Sequence, residues 1–193
     1  TTGLLGAKLR QDRTGHKNPA TKIGQDMKMI GKAVGLVLSL ALFSSAVWAG
    51  QERGPVTNLP LPRYVSLKAT EGNVRRGPSL THRIDWVYKR RAMPLEITAE
   101  HGHWRRVRDR DGAGGWVHYS LLSGMRTVIV ERDMLELHVR PDPKSPVSAK
   151  LALGVIARLG DCGPDWCRLT AGGYRGWAPK TALWGVKPDE LRN

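Results

Sequence analysis

The most constraining feature of this sequence is an internal repeat of about sixty residues. Four short landmarks occur in one order in the first copy and return in the same order in the second. The paired landmarks are residues 73–75 with 138–140, residues 103–107 with 165–169, residues 115–117 with 176–178, and Leu122 with Leu183. A repeat of this length is too long for one unit of a solenoid, but it suits a complete small domain. The sequence therefore predicts two similar domains in tandem.

Each copy has the pattern of short β-strands. Runs of apolar and β-branched residues alternate with polar residues, and Gly and Pro fall at the breaks, as in residues 110–115 and 171–173. No segment between residues 64 and 185 has the 3.6-residue apolar period of a helix. The predicted fold class is all-β, with one domain at residues 64–124, a second at 125–188 and a short tail at 189–193.

Several motifs are specific enough to indicate a family. The first copy contains Asn-Val-Arg-Arg-Gly-Pro-Ser at residues 73–79, Trp-Val-Tyr-Lys-Arg-Arg at 86–91 and Gly-Gly-Trp-Val-His-Tyr at 114–119. These motifs resemble the bacterial SH3 domain, in the tandem form found in exported alphaproteobacterial proteins without an agreed activity. The resemblance implies two small SH3-like β-barrels in tandem. Wider relatives of this type are often attached to peptidoglycan hydrolases, which implies a cell-wall-binding role.

The segment before the repeat has the features of a leader. Lys28 and Lys32 precede an apolar run at residues 33–49 that ends in small residues, so residues 27–49 are predicted to be a signal peptide cleaved after Ala49. An uncleaved anchor is the alternative, although the run is shorter than the ~20 residues that span a bilayer. Residues 1–26 fit an upstream or misassigned start, and the Pro-containing residues 50–63 fit an extended tether. The expected location is periplasmic or secreted, with no transmembrane span in the mature protein.

The two cysteines, Cys162 and Cys167, flank the turn sequence Gly-Pro-Asp at residues 163–165. In an exported protein, an even pair placed on facing strands of one hairpin is best explained as a disulfide. A metal site or a catalytic thiol are the alternatives, but the histidines do not stand at a recognised metal-ligand spacing from the cysteines. The sequence predicts no metal and no cofactor.

Strand alternation suggests a candidate ligand-binding face. Trp104, Arg106 and Arg108 should point outward, while Val107 points into the core. In the second copy, Trp166 and Arg168 repeat part of this pattern. A Trp beside guanidinium groups can stack on a sugar while the arginines bind carboxylate or phosphate. The alternative is that these tryptophans only cover the domain edge and that the arginines are solvated.

Two further sets of residues, one aromatic and one basic, have either a structural or a binding role. Trp116 and Trp177 follow glycines, which favours core or barrel-closing roles. The basic run of Lys89, Arg90 and Arg91 is either a wet surface or an extension of the binding face. Residues 50–193 contain 24 Lys or Arg against 15 Asp or Glu, a surplus that favours anionic partners.

These patterns favour a non-catalytic binding module. The sequence has no nucleophile elbow, phosphate loop or metal signature, so it is not expected to be an enzyme. The leading hypothesis is attachment to a cell-envelope component, namely peptidoglycan or another anionic polymer. The alternative is a structural adaptor that contacts another envelope protein through the grooves of the two domains. Export argues against nucleic acid as a partner, and the sequence does not define an oligomeric state.

Overall fold

The structure, a computed structural model, describes residues 51–193 and contains two seven-stranded antiparallel sheets. The strands of the first sheet are β1 (Arg63–Leu67), β2 (Gly72–Arg75), β3 (Ile84–Tyr88), β4 (Pro94–His101), β5 (Trp104–Arg108), β6 (Gly114–His118) and β7 (Leu122–Ser123). The strands of the second are β8 (Thr127–Val130), β9 (Leu135–His138), β10 (Val147–Leu151), β11 (Ile156–Cys162), β12 (Trp166–Ala171), β13 (Tyr174–Pro179) and β14 (Leu183–Trp184). One 3₁₀ turn precedes the last strand of each sheet, at Tyr119–Leu121 and Lys180–Ala182.

The two sheets have the same topology. Their strand orders are β3-β2-β6-β5-β4-β1-β7 and β10-β9-β13-β12-β11-β8-β14, so every strand of the first copy has a counterpart in the second. This result confirms the all-β class. The sheets are not closed barrels, however, because β3 and β7 remain as edges of the first sheet and β10 and β14 as edges of the second. Irregular register in β4 and β11 marks β-bulges, which bend a strand without closing the sheet.

One apolar core lies on the inner face of each sheet. Strand alternation brings every second residue to this face, so Val107 in β5 and Leu169 in β12 are fully buried at equivalent positions. The first core is completed by residues that include Leu67, Val74, Leu95, Ile97 and Val117. The second core includes Val128, Leu137, Leu159, Cys167 and Ala178.

The segment before β1 is not the extended tether predicted from its prolines. Residues 52–61 fold back as a turn, in which the Leu61 amide donates to the Glu52 carbonyl at 2.7 Å and Leu61 is buried in the first core. The buried carboxylate of Glu100 holds this turn, since it accepts hydrogen bonds from the Thr57 amide at 2.9 Å and from the Thr57 hydroxyl at 2.6 Å. Arg63 also donates to Glu100, at 2.6 Å. A long-range polar contact of this kind is not visible in local composition.

Buried hydroxyl groups join the two sheets. The Ser66 Oγ in β1 lies 2.6 Å from the Thr127 Oγ1 in β8, and the Thr127 hydroxyl donates to the carbonyl of Ala92 at 2.7 Å. Both side chains are almost completely buried, and buried polar groups that satisfy one another fix a particular arrangement. Nearby, Arg126 forms a paired contact with Glu190 at 2.7 and 3.1 Å. The hydroxyl contacts link the first domain to the second, whereas the Arg126–Glu190 pair lies within the second domain and its tail.

The C-terminal residues also fold back onto the second sheet. Main-chain hydrogen bonds of 2.7 and 3.0 Å join Cys162 and Arg192, and the buried Lys180 ammonium donates to the carbonyls of Pro188 and Glu190. The segment after residue 188 is therefore packed against its domain. Each domain thus has one terminal segment that covers part of its sheet.

Cys162 and Cys167 are bonded to each other, as the hairpin pattern predicts. They face one another in the register of β11 and β12, and both are buried in the second core. Residues 1–26 and the predicted signal peptide at residues 27–49 lie outside the described residues. Within residues 51–193, no helix is long and apolar enough to cross a membrane.

The Glu100 carboxylate should make stability dependent on pH. Burial alone would raise the pKa of Glu100, but hydrogen bonds from Thr57, Arg63 and Val56 outweigh burial and lower this pKa to about 2. The unfolded chain, with an ordinary pKa near 4.5, takes up the proton first as the pH falls. The stabilisation by Glu100 is therefore complete above pH 4.5 and is lost as the pH falls towards 2.

Glu100→Gln should lower the free energy of unfolding at pH 7 by about 2 kcal/mol, because charge-assisted hydrogen bonds are lost. The difference from the unmodified protein should shrink below pH 4.5, as measured by urea unfolding at several pH values. Glu136→Gln is the matched control, since the half-exposed Glu136 forms ion pairs with only Lys150 and His138 among the described residues, and it should leave the urea midpoint nearly unchanged. If Glu100→Gln and the unmodified protein differ in their free energy of unfolding by the same amount from pH 7 to pH 2, the lowered pKa of Glu100 is contradicted.

Reduction of the disulfide should destabilise the second domain by about 2 kcal/mol, because it releases a short closed loop between β11 and β12. Amide hydrogen exchange with and without reductant should show faster exchange in residues 127–184 than in residues 63–123. The double variant Cys162→Ala/Cys167→Ala should not respond to reductant. Two thiols labelled in the unreduced, denatured protein would show that the bond does not form.

Candidate functional site

The most distinctive surface of the first domain is a row of three side chains across neighbouring strands. In the sheet register, Arg106 in β5 faces Trp116 in β6, and Trp116 faces Arg75 in β2. The half-buried indole therefore lies between two guanidinium-bearing side chains. These residues line an open cavity of about 330 Å³ together with Arg76 and Asp85. We call this surface the Arg-Trp-Arg groove.

A glycine before the tryptophan makes this arrangement possible. A Cβ atom at Gly115 would lie 2.7 Å from Val74 Cγ1 and 2.8 Å from the Arg75 carbonyl oxygen, both too close for a real side chain. The strands β6 and β2 can therefore cross closely only with glycine on the inner face. Alternation then places Trp116 on the outer face. The second domain repeats this crossing at Gly176, where a Cβ would lie 2.8 Å from Leu137.

The charges of the groove are unevenly neutralised. Asp85 is paired with Arg83 at 2.9 Å and with Arg76 at 3.3 Å, and the hydrogen bond from Arg83 is the main reason that the pKa of Asp85 lies below its usual range. Arg75 donates to the Leu80 and His82 carbonyls and so supports its own loop. Arg106 is exposed and forms no ion pair within residues 51–193. A flat aromatic surface beside this guanidinium suits a sugar ring that bears an anionic group.

The prediction that Trp104 points into solvent is wrong. Alternation places it on the outer face with Arg106, but only 9% of Trp104 is exposed. The ring of His118, its partner in the register of β6, covers it in an edge-on contact with the ring centroids 5.4 Å apart. Alternation identifies the face of a side chain and does not show whether neighbours cover it. Trp116, interpreted from sequence as core or barrel-closing, is the more accessible of the two.

The remaining predicted residues of the first domain lie outside the Arg-Trp-Arg groove, although Arg108 and Arg106 line a second open cavity of about 280 Å³ together. Arg108 forms a close ion pair with the buried carboxylate of Glu96, which raises the pKa of Arg108 and occupies its guanidinium. Arg90 donates to the Gly154 carbonyl of the second domain at 3.0 Å. Arg91 is exposed, and neither it nor Arg90 lines the Arg-Trp-Arg groove. Of the predicted residues in this domain, only Arg106 lies in the groove.

The predicted residues of the second domain line two different cavities. Trp166 is half-buried with its ring perpendicular to His138, and it lines an open cavity of about 400 Å³ with Pro143 and Pro179. Arg168 lies in a separate, arginine-rich cavity and pairs with Asp161 at 2.6 Å. Within the described part of the chain, no cluster of His, Cys, Asp and Glu side chains could hold a metal ion.

The shared strand order and the repeated Gly-Trp crossing define the chain as a tandem of two small all-β domains. The family model for the bacterial SH3 domain matches residues 68–124 and 131–185, together more than half of the chain. The chain therefore belongs to the bacterial SH3 domain family, as its motifs predict. None of the curated proteins compared with it matches.

Three solved structures show a distant likeness. NlpC2 from Trichomonas vaginalis is 14% identical with a TM-score of 0.31, and the match covers 64% of this chain and 48% of that one. NlpC1 from Trichomonas vaginalis is 13% identical with a TM-score of 0.31, and the match covers 68% of this chain and 48% of that one. An NlpC/P60 family protein from Bacillus cereus ATCC 10987 is 10% identical with a TM-score of 0.29, and the match covers 63% of this chain and 55% of that one. This chain thus spans about half the length of each. Likenesses at this level assign no function to it.

Proposed function

We propose that this protein is an exported, non-catalytic module that binds an anionic polymer of the cell envelope, with peptidoglycan as the first candidate. The observation that supports this proposal best is the Arg-Trp-Arg groove, in which the half-buried Trp116 lies between Arg75 and Arg106. The indole offers a face for a sugar ring, and Arg106, which has no ion-pair partner in the described part of the chain, offers a charge-assisted hydrogen bond to a carboxylate or phosphate. Bacterial SH3 domains often bind cell-wall material, which agrees with this chemistry.

Charge and disulfide chemistry support the proposal. Residues 50–193 have more basic than acidic side chains, so the mature surface should attract anions. A buried disulfide persists most readily outside the reducing cytoplasm. The predicted signal peptide at residues 27–49 would deliver the chain to that compartment. The two cysteines are bonded in the core, which leaves no thiol nucleophile among the described residues.

A second candidate function is an adaptor that contacts another envelope protein. The observation that favours it is the cavity of Trp166, His138, Pro143 and Pro179, whose lining is mainly apolar. The dependence of binding on salt concentration distinguishes the two candidate functions. Binding through guanidinium groups should weaken steeply as the salt concentration rises, whereas an apolar contact should not.

Arg106→Gln should weaken retention on purified cell wall by about two- to fivefold at low salt, because one exposed guanidinium contributes modestly. Trp116→Ala should weaken retention to a similar degree but with little dependence on salt, since stacking is not screened. Sedimentation of the purified protein with cell wall over a series of salt concentrations measures both effects. Circular dichroism should show that both variants remain folded.

Arg140→Gln is the matched control for charge, because Arg140 is an exposed arginine outside the groove. It should leave retention unchanged. Equal losses in Arg106→Gln and Arg140→Gln would mean that only overall charge matters. Unchanged retention in folded Arg106→Gln and Trp116→Ala would reject the groove and favour the adaptor function.

Export can be tested separately. The protein isolated from its native host should have the intact mass of a chain that begins at Gly50, because cleavage is predicted after Ala49. Fractionation should place it in the periplasm or the medium. A cytoplasmic product that retains residues 29–49 would contradict export.

A further inference from the structure

We propose that the second domain contains a separate phosphate-binding pocket, formed by Arg158, Arg168, Arg175 and Arg192. These four arginines line one open cavity of about 320 Å³ on the outer face of the second sheet. None of them belongs to the Arg-Trp-Arg groove, so this pocket does not depend on the proposed function of the first domain. The ligand class that it fits is a phosphomonoester or diphosphate group.

The strand register places three of these arginines on one face. Arg158 in β11 faces Thr170 in β12, and Thr170 faces Arg175 in β13, so two arginines flank one threonine in a single row. Arg168 lies two residues before Thr170 and therefore points to the same side. Arg168 is thus a diagonal neighbour of both Arg158 and Arg175, and like charges that are neighbours on one face of a sheet repel one another. A bound anion would relieve that repulsion.

The backbone beside Arg168 differs from that of the first domain. A Cβ atom at Gly160 would lie 3.1 Å from the Arg168 carbonyl oxygen, which is tighter than an ordinary contact, and 3.6 Å from its Nε atom, which is an ordinary contact. The glycine therefore lets β11 approach the β12 backbone closely beside Arg168. The corresponding residue in β4 of the first domain is Thr98, one position after the Ile97 that pairs with Val107. The glycine at this position is therefore particular to the second domain.

The fourth arginine is held in place by the backbone. Two main-chain hydrogen bonds of 2.7 and 3.0 Å pair Arg192 with Cys162, which the disulfide fixes at the end of β11. Asp161, next to Cys162, is the acidic side chain in the lining, and it pairs with Arg168 alone. Within residues 51–193, the guanidinium groups of Arg158, Arg175 and Arg192 form no ion pair.

The first domain shows that this cluster is not a consequence of the fold. The equivalent row there consists of Glu96, Arg108 and Gly114, in which Glu96 neutralises the single arginine. The second domain has Arg158 and Arg175 at the positions of Glu96 and Gly114. The same sheet thus presents a neutralised row in one copy and an unneutralised cationic row in the other.

The number of donors favours phosphate over carboxylate. One or two guanidinium groups satisfy the two oxygens of a carboxylate, whereas a phosphate presents more acceptor oxygens and a larger negative charge. The four arginines, of which Arg168 is partly occupied by Asp161, lie on β11, β12, β13 and the segment after β14, and together they can surround such a group. The open cavity leaves room for the group to which the phosphate is attached.

Isothermal titration calorimetry of the purified protein with inorganic diphosphate, inorganic phosphate and glutarate tests this assignment. Diphosphate should bind most tightly, with a Kd below about 1 mM, and glutarate should bind weakest. Arg158→Gln/Arg175→Gln should weaken diphosphate binding at least tenfold. Asp161→Asn should strengthen it about threefold or more, because it removes a competing carboxylate and releases Arg168.

Arg140→Gln/Lys144→Gln is the matched control, since it removes two exposed positive charges from a loop of the same domain outside the pocket. It should leave diphosphate binding within twofold of the unmodified protein. Equal losses of diphosphate affinity in both double variants would show that diphosphate is attracted only by the overall charge of the domain, and this result would overturn the proposal. Tighter binding of glutarate than of diphosphate, or unchanged binding in Arg158→Gln/Arg175→Gln, would overturn it as well. Arg106→Gln should not affect diphosphate binding, because Arg106 lies in the groove of the first domain. The proposed groove and the proposed pocket can therefore fail independently of one another.

Discussion

The close crossing of two strands at a glycine is the constraint on which both domains depend. At Gly115 and again at Gly176, the backbone of the neighbouring strand lies where a side chain would be. This contact lets the two strands pack closely on the inner face of the sheet. The next residue, Trp116 or Trp177, then lies on the outer face. The folding constraint and the aromatic part of the candidate site thus have one origin.

Duplication preserved this constraint and changed the charges around it. The inner faces of both sheets remain apolar, with Val107 and Leu169 in equivalent buried positions. The outer rows differ, because Glu96 neutralises Arg108 in the first copy while Arg158 and Arg175 face Thr170 in the second. The buried pair of Ser66 and Thr127 holds the two copies together, so one body presents two cationic surfaces of different character.

Local patterns in the sequence predicted much of the fold but less of the site. Alternation and turn residues located the central strands, and the Cys-to-Cys hairpin followed from Gly-Pro-Asp at residues 163–165. The fold-back of residues 52–61 depends on the distant Glu100. Trp104 is buried under His118 on a neighbouring strand, whereas Trp116, which has an edge-on contact with His101, stays partly accessible. These outcomes depend on contacts between strands, which the order of residues along one strand does not reveal.

The most direct test of the groove is an NMR titration of the ¹⁵N-labelled protein with soluble cell-wall fragments. If the groove binds the ligand, the indole Nε1–H signal of Trp116 and the guanidinium Nε–H signal of Arg106 should shift together and saturate at one ligand concentration. The indole signal of Trp104, which is covered by His118, should change little. Shifts concentrated instead at Trp166 and His138, with Trp116 unchanged, would rule out the groove and place ligand binding in the second domain.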